Sequence, residues 1–248
     1  MTAQNPTSPA PITPTRPSRV LVIGGTTSIG APMMQSLRAA GLKVLATGRA
    51  WSAADAGDGI QRASLDLADP QSLDRFASEV VPAFGSIDML LFLAGILPGK
   101  CLADYTDAMI DEVMTVNFSA QAALLRRLLP HFSEPAAQVL MIASISGERG
   151  SFDPIYAASK AAQIAFVKSL ATWLAPAIRV NAIAPALIES SSMFNDMTPE
   201  RRAYHLAQTP TQRLTTAQEL AGIVVDLCGP TWSNLNGQVI RINGGAHV

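Results

Sequence analysis

Six short apolar runs, separated by longer segments with helical periodicity, restrict the fold of this chain more than any other feature. The runs are RVLVIGG, KVLATGR, IDMLLFLAG, QVLMIAS, IRVNAIAP and QVIRING. Parallel strands require crossover connections, and helices in those connections cover both faces of the sheet, so each strand is apolar throughout. The pattern therefore predicts an α/β fold, a single-domain Rossmann-like doubly wound parallel β-sheet with helices on both faces.

Length and composition agree with one folded domain that follows an extended segment. The chain has 248 residues, of which 48% are hydrophobic and 15% charged, and this suits one large buried core. Residues 1–18 are rich in Pro, Thr and Ser and contain no apolar run. They are predicted to form a disordered N-terminal leader rather than a signal peptide, and the folded domain is predicted to span 19–248.

The charge balance and the cysteine content exclude several classes of partner. Lys and Arg number 18 and Asp and Glu 19, which leaves no basic footprint for nucleic acid. No apolar stretch is long enough to span a membrane. The two cysteines and three histidines have neither disulfide nor metal-ligand spacing. We therefore expect a cytoplasmic protein without a metal site, whose partner is a small molecule.

Helix-start signals place two of the predicted helices. Asp153 followed by Pro154 matches an N-cap and a first helical position, and this helix is predicted to run to about Ala175. Thr216 and Glu219 have the spacing of a capping box. The apolar residues that follow each signal are therefore expected on helices that cover the sheet.

A glycine turn, residues 24–30, separates the first predicted strand from the first helix. Glycines allow a sharp bend and a close approach of the backbone to a phosphate, and the helix N-terminus beyond them favours an anion. A tight turn that binds nothing is the alternative interpretation. The dinucleotide-binding interpretation assigns six of these residues to the cofactor: Gly24, Thr26, Thr27, Ser28, Ile29 and Gly30.

The end of the second predicted strand carries no carboxylate. An acidic residue there would accept hydrogen bonds from the adenosine ribose of NAD, whereas an arginine favours the 2′-phosphate of NADP. Gly48 and Arg49 occupy this place, so NADP(H) is the predicted cofactor and NAD is less favoured. A solvent-exposed arginine without a ligand is the alternative.

Three residues near the middle of the chain form a candidate proton-transfer group. Tyr156 and Lys160 are four residues apart on a predicted helix and share one face. Ser144 ends the strand QVLMIAS, at the edge of a parallel sheet where ligands bind. A nearby ammonium lowers the pKa of a phenol and makes it useful for acid-base catalysis. The alternative is a half-buried tyrosine beside a surface lysine.

Ordered motifs along the chain resemble those of one enzyme family. GGTTSIG is similar to the glycine turn of the short-chain dehydrogenase/reductase family, LDLAD to its adenine-contacting segment, and FLAG to its Asn-Asn-Ala-Gly segment. VNFSA, YAASK, RVNAIAPALIES and NGQVIRINGG follow in the order of the family. The resemblance is to the Tyr-x-x-x-Lys type and covers the chain from Arg19 to Gly245.

The resemblance implies a reaction and a role for each residue. The chain would reduce a ketone or oxidise a secondary alcohol with NADP(H). Tyr156 would donate the proton in reduction, and Ser144 would polarise the carbonyl. Lys160 would bind the nicotinamide ribose and lower the pKa of Tyr156, and Asn117 would hold a water in the proton relay. The implied cofactor contacts, besides the glycine turn and Arg49, are Asp66, Leu67, Ala94, Gly95, Tyr156, Lys160, Pro185, Ile188 and Ser190.

Departures from the family pattern concern the cofactor site. Ser28 replaces the middle glycine of the turn, Phe92 and Leu93 replace two asparagines, and Ala186 replaces a glycine. Two other functions therefore stay open. One is a dinucleotide-sensing binding protein without turnover, and the other is a dehydratase or epimerase of the same family.

The segment 189–210 is predicted to be a lid over the substrate. Met193, Phe194 and Met197 would form its apolar wall, although plain core packing produces the same pattern. Lys100 and Arg149 either meet an anionic group of a substrate or stay solvated.

The resemblance also implies a homo-oligomer, a tetramer or a dimer. Its contacts would come from the helix predicted over 109–129 and from the helix that contains Ile155. Both segments carry more apolar residues than one face of a sheet can cover.

Overall fold

The computed structural model describes residues 17–52, 57–133, 135 and 137–248. Most of the predicted leader, 1–16, lies outside these residues. Ser18, which the prediction placed in the leader, donates from its backbone N–H and its hydroxyl to Asp88 Oδ2, at 2.8 and 2.6 Å. In the structure the folded part therefore includes at least Ser18.

The predicted parallel sheet is confirmed. In the described residues its seven strands lie in the order β3-β2-β1-β4-β5-β6-β9, and every neighbouring pair is parallel. A separate two-stranded pair joins β7 and β8. The strands are β1 Arg19–Ile23, β2 Lys43–Gly48, β3 Gln61–Ser64, β4 Met89–Phe92, β5 Ala137–Ile142, β6 Ile178–Pro185, β7 Ile188–Glu189, β8 Thr215–Thr216 and β9 Val239–Ile242.

Helices cover both faces of this sheet. They are α1 Gly30–Ala39, α2 Pro70–Arg75, α3 Val81–Phe84, α4 Asp107–Met114, α5 Ala120–Leu128, α6 Ser146–Arg149, α7 Pro154–Trp173, α8 Ser192–Asn195, α9 Pro199–Ala207 and α10 Ala217–Leu227. A π-helical turn, Thr115–Ser119, joins α4 to α5, so the helix predicted over 109–129 is a continuous but locally widened one. Another π-helical turn, Phe76–Val80, joins α2 to α3.

The alternation of side chains along each strand divides the core in two. Leu21 of β1 packs in one cluster with residues of α2, α5 and α7. Val22, one residue later, packs in the other cluster with residues of α1 and α10. Successive side chains of a strand point to opposite faces, which explains why the apolar runs show no polar alternation.

The strand order reverses between β1 and β4. The chain moves outward from β1 to β2 and β3, and then returns to the other side of β1 to form β4. In sheets of this kind the carboxyl ends of the two central strands diverge into a crevice that binds ligands. This topology places the glycine turn after β1 and Ser144 after β5 at the same edge.

The helix-start predictions at Asp153 and Thr216 are confirmed. The Asp153 carboxylate accepts from the Tyr156 N–H at 3.0 Å, and α7 ends at Trp173, two residues before the predicted end. Thr216 and Glu219 form a reciprocal capping box. The strand β3 was not predicted, because its sequence QRAS is polar and lies at the edge of the sheet.

Candidate active site

One cavity of about 930 Å³ lies at the carboxyl edge of the sheet. Its wall contains part of the glycine turn, the segment that follows β5, the first turn of α7 and the lid, 189–210. Ser144, Tyr156 and Lys160 all line it. The structure therefore brings the three predicted proton-transfer residues together beside the predicted cofactor turn.

Tyr156 lies in the first turn of α7, and its side chain is buried. Burial raises the pKa of Tyr156 to about 12, against the opposing effect of the nearby Ser144 hydroxyl. Ser144 Oγ also accepts from the Ser146 N–H at 3.1 Å, which orients the hydroxyl at the start of the next turn. The predicted lowering of the Tyr156 pKa by Lys160 is therefore not found: burial outweighs it, and the phenol holds its proton at neutral pH more tightly than free tyrosine does.

Lys160 lies one turn after Tyr156 and is 4% exposed. Its Nζ donates to the Ile142 carbonyl at 2.8 Å and to Gln163 Oε1 at 3.0 Å. Burial lowers the pKa of Lys160 to about 7. Nζ lies 5.8 Å from the centre of the Tyr156 ring. The protonated form of this lysine would favour the phenolate of the neighbouring tyrosine.

A chain of buried amides continues from Lys160 towards β4. Gln163 Nε2 donates to Gln121 Oε1 at 2.8 Å, and Gln121 Nε2 donates to the carbonyls of Ala94 and Val116 at 3.0 Å. Both glutamines are fully buried. The sequence does not indicate this row of amides, because its members are more than 40 positions apart and share no local pattern.

Asn117 lies in the π-helical turn and uses its whole side-chain amide. Oδ1 accepts from the Ile96 N–H at 2.8 Å, and Nδ2 donates to the Ile96 carbonyl at 3.0 Å and to Ser159 Oγ at 2.9 Å. The side chain thus fixes the segment after β4 against α7. Its role in holding a water stays a prediction.

Asp153 makes more contacts than the predicted N-cap requires. Oδ2 accepts from the N–H groups of Gly99 and Lys100 at 2.9 and 3.2 Å. Oδ1 accepts from the Tyr105 hydroxyl at 2.7 Å as well as from the Tyr156 N–H. This fully buried carboxylate connects the loop after β4 to the first turn of the helix that carries Tyr156. Burial and the Asp153 carboxylate raise the pKa of Tyr105.

The glycine turn fits a dinucleotide phosphate. A Cβ on Gly24 would lie 2.6 Å from the Ala94 backbone nitrogen, and a Cβ on Gly30 would collide with the Gly25 carbonyl. The Thr27 hydroxyl is buried and has no hydrogen-bond partner among the described residues. Ile29, the N-cap of α1, provides no side-chain cap for the first N–H groups. An uncapped helix start and a spare hydroxyl are donors of the kind that bind a phosphate at this turn.

Ser28 connects the glycine turn to the lid. Its Oγ accepts from the Ser192 N–H at 3.0 Å and lies 3.4 Å from the Ser192 hydroxyl. The hydroxyl that replaces a glycine in the family pattern is therefore engaged with α8. Thr26, Thr27, Ser28 and Ile29 all line the cavity.

The residues predicted to contact the adenosine half lie outside the cavity wall. Arg49 is exposed at the end of β2. Asp66 is also exposed, and its carboxylate accepts from the Ala68 N–H at 2.9 Å, while Leu67 is buried in the core. A Cβ on Gly48 would collide with the Thr26 side chain, which explains why no larger residue occupies this strand end.

On the nicotinamide side, the structure places most of the predicted residues at the cavity. Gly95, Pro185 and Ile188 line it, and the Ala94 carbonyl accepts from Gln121. Ser190 is exposed and lies outside the wall, with a left-handed φ of 60°. Its neighbours line the cavity in its place: Ser191 and Ser192. The turn after β7 decides which hydroxyl faces inward, and the sequence does not encode this turn in a recognisable pattern.

The departures from the family pattern are accommodated by packing. Phe92 is buried in the core, and Leu93 and Ala186 line the cavity. In the lid, Met193 and Met197 line the cavity as predicted, whereas Phe194 stacks with Arg202 at 4.6 Å.

Of the two cations predicted near a substrate anion, only Arg149 reaches the wall. Lys100 lies outside it and contacts Asp153 through its backbone N–H.

In the described part of the chain, no helix combines the length and the apolar character that crossing a bilayer requires.

Comparison with known proteins gives the same family for nearly the whole chain. A family described as Enoyl-(Acyl carrier protein) reductase matches residues 24–247. The 3-oxoacyl-[acyl-carrier-protein] reductase FabG of Escherichia coli K12 is 30% identical over 239 residues, which cover 92% of this chain and 96% of the relative. The uncharacterized oxidoreductase YmfI of Bacillus subtilis is 32% identical over 185 residues, which cover 73% of this chain and 75% of the relative.

Solved structures agree with this assignment. A short-chain dehydrogenase/reductase of Brucella melitensis superposes with a TM-score of 0.86 at 27% identity, over 93% of this chain and 96% of the other. A short-chain dehydrogenase/reductase of Serratia marcescens gives a TM-score of 0.84 at 26% identity, over 93% and 98% of the two chains. With a family match over almost its full length, this chain belongs to the short-chain dehydrogenase/reductase family.

Proposed function

We propose that this oxidoreductase uses NADP(H) to reduce a ketone of a small molecule, or to oxidise the corresponding secondary alcohol. The observation that carries the proposal is the meeting of Ser144, Tyr156 and Lys160 in one cavity beside the glycine turn. The name of the Escherichia coli relative makes 3-oxoacyl compounds one substrate class to test.

The residues divide the chemistry among them. The cofactor, when bound, supplies the hydride. Tyr156 donates its proton to the carbonyl oxygen of the substrate, and Ser144 hydrogen-bonds the same oxygen as negative charge develops on it. The Lys160 ammonium stabilises the resulting phenolate. Because burial raises the pKa of Tyr156 to about 12, the tyrosine stays protonated throughout the neutral pH range.

Two features support NADP(H) over NAD(H), and a third would serve either cofactor. Arg49 offers a fork of donors that suits phosphate oxygens, and its exposure leaves the guanidinium accessible. No carboxylate ends β2, since Gly48 packs directly against Thr26. The unpartnered Thr27 hydroxyl adds a donor in the turn, where it would bind a phosphate common to both cofactors.

The test of the function is cofactor oxidation with a panel of ketones, followed as absorbance loss at 340 nm. We expect turnover by the wild type and a loss of about 10²–10⁴-fold in Tyr156→Phe, because one general acid is removed. Cofactor affinity should change little, as measured by fluorescence titration. Cofactor binding without turnover on any ketone would favour the dinucleotide-sensing alternative, and near-normal turnover of the variant would contradict the mechanism.

We also propose a homo-oligomer, a dimer or tetramer, in a reducing cytoplasm. The exposed face of α7 carries small side chains, among them Ala158, Ala161 and Ala165, and ends at Trp173, which is 69% exposed. Such a surface permits close packing of a helix from a second copy. Neither cysteine takes part in a disulfide, as expected in a reducing compartment.

A further inference from the structure

The cavity wall contains basic side chains without an acidic counterpart. Among the described residues that line it are Arg149, Lys160, Arg201 and His205, but no aspartate or glutamate. Lys160 belongs to the proton-transfer group. The other three come from the segment after Ser144 and from α9, rather than from the glycine turn where the cofactor phosphates are expected.

Arg149 ends α6 and has no carboxylate partner among the described residues. Its Nη1 donates to the Ala246 carbonyl at 3.3 Å, which leaves most of its donors unused. The adjacent carboxylate of Glu148 is occupied by Arg241, with two hydrogen bonds of 2.8 and 2.9 Å. Arg149 is exposed to solvent and lines the cavity without an ion-pair partner among the described residues.

Arg201 lies in the first turn of α9 and is positioned by an aromatic ring. Its guanidinium carbon lies 4.3 Å from the centre of the Phe152 ring, a geometry that orients the cation without using its N–H donors. The structure records no ion pair for Arg201 among the described residues. The neighbouring Glu200 is exposed and lies outside the cavity wall.

His205 completes the group one helical turn later on α9. It is partly buried in the wall, and burial followed by the charges of Arg149 and Arg201 lowers its pKa. The two arginines are therefore close enough to His205 to act on it electrostatically. The imidazole can donate one hydrogen bond in its neutral form.

We propose that Arg149 and Arg201, assisted by His205, form a subsite for an anionic group of the substrate, a carboxylate or a phosphate distant from the carbonyl that is reduced. This inference rests on the proposed function for its position relative to the reaction. Guanidinium groups bind both anions through charge-assisted pairs of hydrogen bonds. An anion there would pair with two arginines that have no carboxylate partner among the described residues of the wall.

Matched substrates test the subsite in the active enzyme. The probes are 6-oxoheptanoate, its methyl ester and 6-oxoheptyl phosphate, each assayed with saturating NADPH. We expect kcat/KM for at least one anion to exceed that for the ester by about tenfold or more. A higher value for the carboxylate or for the phosphate identifies which anion the subsite binds. Equal values for all three probes would overturn the proposal.

Variants of Arg149 and Arg201 test whether these side chains cause the preference for an anionic substrate. In Arg149→Gln/Arg201→Gln the preference for the anion should fall by about tenfold or more, mainly through KM, because uniform binding is lost. Arg201→Lys keeps the charge and should retain part of the preference. Arg75→Gln, at an exposed arginine of α2, is the control for net charge and should keep the wild-type ratio. A double variant with an unchanged ratio would overturn the proposal.

A binding experiment separates failure of the subsite from failure of the proposed function. Hexanoate and hexanamide are titrated calorimetrically into the wild type and the double variant. Hexanoate binding that exceeds hexanamide binding and disappears in the double variant supports the subsite, even if no ketone is reduced. Equal binding of the two probes, or hexanoate binding that survives in the double variant, would overturn it.

Discussion

At the scale of single residues, the burial of Lys160 makes the stability of the fold depend on pH. Its pKa is about 7 in the folded protein, against an ordinary value of 10.5. The unfolded chain therefore binds a proton more readily than the folded chain between these values. The folded state carries the full electrostatic cost below pH 7, and the cost is removed progressively as the pH rises towards 10.5.

Lys160→Met should show this dependence directly. The variant has no charge to bury, so its free energy of unfolding relative to the wild type should decrease by about 3 kcal/mol between pH 7 and pH 9.5. Urea unfolding at several pH values measures the difference. Lys168→Met, an exposed lysine of the same helix, is the control. A difference between variant and wild type that does not change with pH would contradict the assigned pKa.

The proposed preference for NADP(H) depends on a single side chain, Arg49. Arg49→Ala should reduce kcat/KM for NADPH by about tenfold and leave the value for NADH nearly unchanged, because only the 2′-phosphate loses a charge-assisted partner. Arg75→Ala, at another exposed arginine, should alter neither value. Steady-state kinetics with both cofactors measure the ratio. A wild type that prefers NADH would contradict the proposed contact.

Local patterns account for the residues that could be predicted. Tyr156 and Lys160 follow from helical spacing, and Ser144 follows from the end of an apolar strand. Asp153 was predicted only as an N-cap, because Tyr105, its other side-chain partner, is 48 residues away. The exposed Ser190 was predicted to face the cofactor, since the sequence does not specify the turn that rotates it outward.

At the scale of the elements, a close contact between α6 and α7 positions the helix that carries Tyr156 and Lys160. A Cβ on Gly147 would lie 2.6 Å from the Lys160 carbonyl carbon and 2.7 Å from the Ala161 nitrogen. Both atoms belong to the backbone of a 20-residue helix, so they cannot move aside without displacing the helix. Glycine at this position lets α6 approach α7 at the turn that carries Lys160.

Gly147→Ala should therefore lower both stability and activity. We expect a cost of about 1–3 kcal/mol, typical of an overpacked core, and a larger proportional loss of kcat, because Lys160 is displaced. The matched control is Gly222→Ala in α10, where a Cβ would meet no atom within 4 Å. That variant should gain about 0.5–1 kcal/mol. Thermal unfolding and kcat measure both; a neutral Gly147→Ala would contradict the packing argument.

At the scale of the whole molecule, the fold was predictable and the relation between its loops was not. The apolar runs and the glycine turn specify the parallel sheet and its ligand edge. The contact of Ser28 with Ser192 spans 164 residues, and the basic group in the cavity joins α6 to α9. Such long-range pairs depend on the three-dimensional course of the lid, which has no periodic pattern to indicate it.

The proposed oligomer gives a prediction at this scale. Light scattering should give a mass of two or four times the 26.1 kDa of one chain. Ala165→Arg places a long charged side chain on the exposed face of α7 and should reduce that mass, because the helix of a second copy can no longer approach. Lys43→Glu, at an exposed residue of β2, is the control. A monomeric wild type at micromolar concentration would contradict the proposal.

The hydrogen bonds between the buried amides that lead from Lys160 to β4 all run in one donor-to-acceptor direction. When Lys160 is protonated it can only donate, so Gln163 then presents its oxygen to it and its NH₂ group to Gln121. Gln121 must then present its own NH₂ group to the carbonyls of Ala94 and Val116. Reversing either amide would bring two donors or two acceptors face to face. A single ammonium thus sets the polarity of a row of side chains that ends at the segment after β4, and Gln163→Glu would erase that polarity while preserving the shape of the row.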